Sequence, residues 1–156
     1  MIRIGFGFDT HKLEPGGPLR LGGVSIEHSK AAIGHSDADV LIHAIIDALL
    51  GAAGLPDIGR QFPDTSDDYK GIDSGILLRK TLQLILEQGF SIGNIDCTIV
   101  LQQPKIAAHI PSMITALSSA LDISPGQVNV KAKTSEKLGF IGREEGVSAY
   151  AVALLM

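Results

Sequence analysis

Aromatic residues are scarce: five Phe, two Tyr and no Trp make up 4% of the 156 residues. Few rings leave little to stack bases on, which argues against single-stranded nucleic acid as a ligand. Positive charge is in deficit too. With 13 Lys and Arg against 17 Asp and Glu, the formal net charge is −4. The basic footprint of a nucleic-acid binder is therefore missing. There is one cysteine, Cys97. It cannot close a disulfide within the chain or build a thiolate zinc site, so a reduced, cytoplasmic setting is expected. No apolar run approaches the roughly 18 residues that cross a membrane. Met1-Ile2-Arg3-Ile4-Gly5 passes straight into a strand pattern, so no signal or transit segment is expected.

What remains is a 45% hydrophobic chain with 18 glycines. Its length suggests one domain. Composition is even, with no linker, repeat or low-complexity tract, so residues 1–156 are read as a single unit. Arg3 to Phe8 alternates as a strand that ends at Asp9-Thr10-His11. Pro15-Gly16-Gly17-Pro18 is a turn cluster, and Gly22-Gly23 joins two short strands as a hairpin. Ser36-Asp37-Ala38-Asp39 resembles a capping box before an apolar helix from about Val40 to Ala53, with Gly54 as the stop. Pro56 to Gly71 reads as one long loop. A second helix starts at Asp73 or Ser74 and stops at Gly89. Strands over Asn94–Leu101, Gln127–Lys133 and Val147–Leu155 enclose a helical stretch between Pro104 and about Leu121, with Pro111 in its first turn. The expected fold is α+β: a two-layer sandwich, a mixed sheet with helices packed on one face. The last strand is so apolar that both its faces are expected to be buried.

Four segments can carry chemistry. Asp9 and His11, two apart on an extended segment, point to one side; read separately, they are a turn Asp and a surface His. Asp39, His43 and Asp47 form one stripe on an otherwise apolar helix, and a buried polar stripe needs partners. An internal His–Asp hydrogen bond satisfies that need. The sharper reading is that His43 binds a metal through one ring nitrogen while Asp47 accepts from the other. Asp9, His11 and His43 then supply one oxygen and two nitrogens, the three-ligand pattern of a catalytic zinc; Mn2+ and Co2+ accept the same donors. His35-Ser36 stands at a helix start, where Ser36 is equally a phosphate contact or a plain cap. Lys131 to Phe140, followed by Gly142-Arg143-Glu144-Glu145-Gly146, is either a solvated charged loop or a polyphosphate site with Glu136 on a hard cation. Gly5-Phe6-Gly7 lacks the rest of a dinucleotide loop, and no Gly-x-Ser-x-Gly elbow occurs.

Taken in order, Gly5-Phe6-Gly7-Phe8-Asp9-Thr10-His11, His35-Ser36-Asp37-Ala38-Asp39 with His43-Ala44, Asp57-Ile58-Gly59 with Phe62-Pro63-Asp64-Thr65, and Thr134-Ser135-Glu136-Lys137-Leu138-Gly139-Phe140 with Gly142-Arg143 closely resemble the 2-C-methyl-D-erythritol 2,4-cyclodiphosphate synthase family. The match spans essentially the whole chain. The resemblance implies a homotrimer with active sites at subunit interfaces. It also implies a phosphorus–oxygen lyase reaction of the non-mevalonate isoprenoid pathway: the 2-phosphate of a cytidylyl methylerythritol attacks the β-phosphorus and CMP leaves. Asp9, His11 and His43 fall on the family's Zn2+ ligands. Glu136 falls on the residue for a second divalent ion, Mg2+ or Mn2+, between the substrate phosphates. His35 and Thr134 fall on the positions credited with stabilising the transition state. Ser36, beside His35, falls on a substrate contact, and Asp57, Ile58, Gly59 and Phe62, Pro63, Asp64, Thr65, Ser66 match the segments around the methylerythritol part. Leu101, Pro104, Lys105, Ile106 and Ala107 match the cytidine segment. Lys133, Ser135, Phe140 and Arg143 match further substrate contacts, although Thr is frequent where Lys133 stands. Phe8, Arg143 and Glu145 fall where some members line a cavity on the threefold axis that can hold an isoprenoid diphosphate.

Such chemistry drives anion against anion. It needs cations and alignment more than a protein nucleophile, and none is visible here. Two other readings use the same residues. A metal-dependent phosphodiesterase on a cytidine diphosphate ester would give an open-chain product. A trimeric nucleotide sensor would need the phosphate loop but no metal group.

Overall fold

The first strand outruns its own hydrophobic alternation. In the computed structural model, which describes residues 1–156, β1 (Arg3–Pro15) continues through Asp9-Thr10-His11 before the turn at Gly16-Gly17. The hairpin of β2 (Leu19–Leu21) and β3 (Val24–Ile26) follows, then β4 (Lys30–Ile33) and helix α1 (Val40–Ala53). A short α2 (Ile58–Gln61), α3 (Ser74–Glu87), β5 (Ile92–Val100), α4 (Ile110–Ala120), β6 (Val128–Lys133), a short α5 (Gly139–Gly142) and β7 (Gly146–Leu155) complete the chain. Pairing explains the long first strand. β1 is laddered to β7 from Arg3 to Lys12 and to β4 from Lys12 to Pro15, so its backbone groups are satisfied well past the apolar stretch.

The five-stranded sheet has the order β4-β1-β7-β5-β6. All pairs are antiparallel except β5 with β6, so the sheet is mixed. Helix α1 lies across β1 and β7, α3 packs on α1, and α4 covers β6. The helices share one face, and the α+β reading holds. One core of 34 buried residues lies between the layers. Its centre is α1, where Leu41, Ile45, Ile46, Leu49 and Leu50 are fully buried; each such side chain stabilises by roughly 1.5–3 kcal/mol relative to exposure.

Glycine and alanine let the layers meet closely. A Cβ on Gly5 would stand 1.8 Å from the Ala48 carbonyl oxygen, and one on Gly7 2.1 Å from that of Ala44. The aromatic-poor, glycine-rich composition thus corresponds to a helix seated almost on the strand backbone. Gly22 and Gly23, with φ of 59° and 77°, make the mirror-image turn of the hairpin.

Three expectations are corrected. The cap of α1 is Asp39, whose side chain accepts from Ile42 N, and not Ser36. Asp39 also accepts from Gly22 N at 2.9 Å and Gly23 N at 2.7 Å, tying the hairpin to the helix start. Burial pushes its carboxyl pKa up in spite of these donors. Residues 56–71 are not one loop, because α2 and a 3-10 turn over Asp67–Tyr69 form inside them; Asp57 and Ser66 cap these two pieces. Finally, β7 is not buried on both faces. Tyr150 and Val152 are 40% and 42% exposed, because no second layer covers the outer face of the sheet. Ile4, Phe6 and Phe8 stand beside them on β1, paired with Leu154, Val152 and Tyr150.

Candidate functional site

The inner face of β1 carries Gly5, Gly7, Asp9 and His11 in succession, as the period-2 rule requires. The close seat of α1 on the two glycines brings His43 over the next two residues. Asp9 Oδ2 lies 2.8 Å from His11 Nε2 and 3.0 Å from His43 Nδ1, and the two nitrogens are 3.2 Å apart. His11 Nδ1 donates to the Ile33 carbonyl at 2.8 Å, so once the ring is neutral Nε2 presents its lone pair to the group. One oxygen and two imidazole nitrogens converge in a group able to hold a metal ion, and that donor set suits Zn2+ and its neighbours.

The group is polarised. Burial alone would raise the Asp9 carboxyl, but in the metal-free cluster the protonated rings of His11 and His43, by hydrogen bonding and charge, hold it down at about 2. For His11, burial works toward a lower value, and it is overcome by Asp9 beside the ring and the Ile33 carbonyl behind it, so the imidazole pKa is raised.

A cavity of about 190 Å3 opens over these residues. His35 and Ser36 stand on one side, and Ile58, Gly59, Phe62 and Asp64 on another. Asp47, Tyr69 and Leu77 complete the wall. Asp57 is outside it as the cap of α2, accepting from Arg60 N at 3.0 Å. Pro63 and Thr65 are exposed in the following turn, and Ser66 caps the 3-10 turn. Asp47 does not accept from His43 as the stripe suggests. Its Oδ1 accepts from Ile58 N at 2.8 Å and anchors α2 instead. Burial pushes its carboxyl pKa up. Behind His43, Nε2 faces Ser36 Oγ at 3.0 Å and Ser74 Oγ at 2.9 Å. Ser74 and its partner Asp37 were legible only as cap-like residues, since their meeting depends on how α3 packs.

The second set of predicted residues gathers elsewhere. Leu101 N donates to the Lys133 carbonyl at 2.9 Å, and Lys137 N to Gln102 Oε1 at 3.1 Å. The cytidine-like segment and the Thr134–Glu136 segment are thus neighbours. Leu101 and Ile106 are buried anchors, Pro104 and Ser135 are half-buried, and Lys105, Ala107, Lys133, Thr134 and Glu136 are exposed. Glu136 has a φ of 55°, and its N–H donates to Thr134 Oγ1 at 3.3 Å. Lys131 is held by Asp96 at 2.6 Å and Arg143 by Glu145 at 2.8 Å, which leaves Lys105 and Lys133 without a carboxylate partner. Phe140 lines a different, shallow cavity with Thr10, His11 and Lys12.

The two sets occupy the same end of the sheet. Lys133 pairs with Val100, Val100 with Ser148, and Ser148 with Thr10. Three inter-strand steps of about 4.8 Å separate them by about 14 Å within one chain. Neither cavity that His11 lines includes Glu136.

A two-layer α+β fold that gathers a carboxylate and two imidazoles beside a cavity makes a candidate metal-dependent enzyme site. The chain matches the YgbB family over residues 2–156, and it belongs to that family. It is 59% identical over 155 residues to the 2-C-methyl-D-erythritol 2,4-cyclodiphosphate synthase of Porphyromonas gingivalis, covering 99% of this chain and 96% of that one. Among solved structures, it superposes on the bifunctional IspDF of Campylobacter jejuni with a TM-score of 0.95 and 42% identity, over 99% of this chain; the chain spans 42% of that protein. It also resembles IspF of Plasmodium falciparum in its CDP complex, with a TM-score of 0.87, 39% identity, and 99% and 96% of the two chains covered. The family resemblance carried by the motifs is borne out.

Proposed function

We propose that the chain is a metal-dependent phosphorus–oxygen lyase of non-mevalonate isoprenoid precursor synthesis. It converts 4-diphosphocytidyl-2-C-methyl-D-erythritol 2-phosphate to 2-C-methyl-D-erythritol 2,4-cyclodiphosphate and CMP. The observation that carries this reading is the convergence of Asp9, His11 and His43 beside a cavity in a chain that matches the family from end to end.

An oxygen of the 2-phosphate forms a bond to the β-phosphorus. The bond from that phosphorus to the bridging oxygen breaks, and its electron pair leaves with CMP. No water and no protein nucleophile enters the balance. Asp9, His11 and His43 would hold Zn2+, Mn2+ or Co2+, and Glu136 would hold Mg2+ or Mn2+. Bound divalent cations supply positive charge beside the reacting oxygens. The chain's main task is alignment, which in intramolecular reactions can supply roughly 7–11 kcal/mol. His35 and Ser36 bind phosphate at the cavity rim. His35 and Thr134 donate hydrogen bonds as charge moves toward the leaving group. Asp57 to Gly59 and Phe62 to Ser66 enclose the methylerythritol part. Leu101 and Pro104 to Ala107 hold the cytidine, with Lys105, Lys133, Ser135, Phe140 and Arg143 along the diphosphate.

The working unit is a homotrimer of single 1–156 domains, each active site shared by two chains. Two observations support this. The metal group and the Lys133–Glu136 segment sit at one level of the sheet but about 14 Å apart, a gap that a neighbouring copy can close. The outer sheet face presents Ile4 and Phe6 at 70% and 63% exposure, an apolar surface that single chains rarely leave open. On the same reading, Phe8, which stacks on Tyr150 at 5.9 Å, lines an axial cavity with Arg143 and Glu145 that takes an isoprenoid diphosphate. A cytoplasmic setting is supported by the single, buried, unpaired Cys97. No helix is long and apolar enough to cross a membrane.

The test is product analysis in 18O-labelled water. Unlabelled cyclodiphosphate supports cyclisation, and a labelled open-chain phosphate indicates the phosphodiesterase instead.

A further inference from the structure

His43 can meet a metal through either ring nitrogen, and what stands behind the ring decides which. Nε2 faces Ser36 Oγ at 3.0 Å and Ser74 Oγ at 2.9 Å. A hydroxyl has one proton to give, and Ser74 gives it to Asp37 Oδ1. Asp37 offers nothing in return. Its other partners are N–H groups: Ser74 N at 2.9 Å, Asp39 N at 3.2 Å and Arg20 Nε at 3.1 Å. The carboxylate accepts at every contact. The Ser74 oxygen therefore shows His43 only lone pairs, so Nε2 carries the hydrogen and donates it. In the neutral ring, the form a metal meets, Nδ1 then keeps its lone pair; it faces Asp9 Oδ2 at 3.0 Å.

We propose that Ser74, held by Asp37, which Arg20 in turn holds, is a positioning residue for the metal group: it selects the Nε2–H form of His43 and fixes the ring with Nδ1 toward the ion. This rests on the reading of Asp9, His11 and His43 as metal ligands. Ser74 is fully buried, so water cannot take over as the acceptor. The relay also joins distant parts of the fold. Arg20 belongs to the hairpin, Asp37 to the turn before α1, and Ser74 opens α3. Arg20 reaches Asp73, the cap of α3, at 3.0 Å as well. Ser36 accepts the same proton from the cavity rim. Neither Ser74 nor Asp37 touches the cavity floor, so their effect passes through His43.

The experiment uses the full-length protein and Zn2+ alone. Dissociation constants come from competition with a chromogenic chelator, and imidazole nitrogens are assigned by 15N NMR. The expected results are Nε2–H with metal-bound Nδ1 at His43, and zinc affinity about 10–100-fold weaker in Ser74→Ala, the usual effect of losing an outer-shell partner. Ser74→Thr keeps the hydroxyl and is expected to stay within about threefold of the parent, well inside that loss. Asp37→Asn is expected to weaken binding without touching the ring. Parent-like affinity in Ser74→Ala overturns the proposal. So does equal weakening in Ser74→Ala and Ser74→Thr, which makes Ser74 a packing residue, and so does zinc on Nε2. If Ser74→Ala does not fold, the nitrogen assignment in the parent decides. If the parent binds zinc no better than His43→Ala, the metal reading itself has failed, and that result is distinct from failure of the relay.

Discussion

Gly7 and Ala44 are in van der Waals conflict with any larger residue at Gly7: an added Cβ would meet the Ala44 carbonyl oxygen at 2.1 Å and Ala48 N at 2.6 Å. Both obstacles are helix backbone, which cannot swing aside. The seat of α1 on β1 sets the height of His43, the neighbour of Ala44, above Asp9. Gly7→Ala must therefore push the helix away. Overpacking of this kind costs about 1–3 kcal/mol and occasionally more. Urea unfolding is expected to show that loss, and zinc titration a weaker site. Unchanged values in both would mean that the glycine merely fills space.

His43→Ala removes one of three donors. Zinc content after dialysis is expected to fall from one per chain toward zero, with turnover lost. A fully metallated, active variant would remove His43 from the ligand set.

Protons compete with the metal. The His11 pKa is raised above its ordinary 6.5, so the metal-free ring keeps its proton to higher pH. Its contribution to metal-free stability is full below about 6.5, the unfolded value, and is lost as pH rises through the folded one. Asp9 is depressed from 3.8 to about 2; its contribution is present above the unfolded value and lost as pH falls toward 2. The cluster therefore helps the metal-free protein most between these limits. Zinc must displace the His11 proton, so affinity is expected to fall about tenfold per pH unit below the raised value. Unfolding midpoints with chelator and with zinc, followed against pH, are expected to diverge as pH rises. Parallel curves would contradict the account.

The outer sheet face tests assembly. Phe6→Asp places a charge in the exposed row of Ile4, Phe6 and Phe8. Light scattering is expected to show three chains per particle for the parent and single chains for the variant. A monomeric parent with full activity would overturn the shared-site proposal.

Much of this was readable from residues, for physical reasons. Helix α1, its Gly54 stop and the Gly22-Gly23 hairpin follow from local periodicity and turn chemistry, and Asp9 and His11 share a face because strands alternate. What escaped depends on tertiary partners. Ser36 reads as a cap because nothing local shows that Asp39 is better placed. Asp47 reads as a partner of His43 because helical spacing says nothing of Ile58 N waiting across the loop. Ser74 reads as a helix start because its contact with His43 spans 31 residues. The apolar β7 reads as buried on both faces because its pattern does not say whether the second cover comes from the same chain.

The central claim is cyclisation at a metal group built on Asp9, His11 and His43. Its most direct test is CMP release from 4-diphosphocytidyl-2-C-methyl-D-erythritol 2-phosphate, measured with Mg2+ present, with and without prior removal of bound metal by chelator. Equal amounts of CMP and cyclodiphosphate are expected from the metal-loaded protein, with loss of both after chelation and recovery on adding Zn2+. Folded, metal-loaded protein that releases no CMP, or releases it undiminished after the metal is stripped, would contradict it.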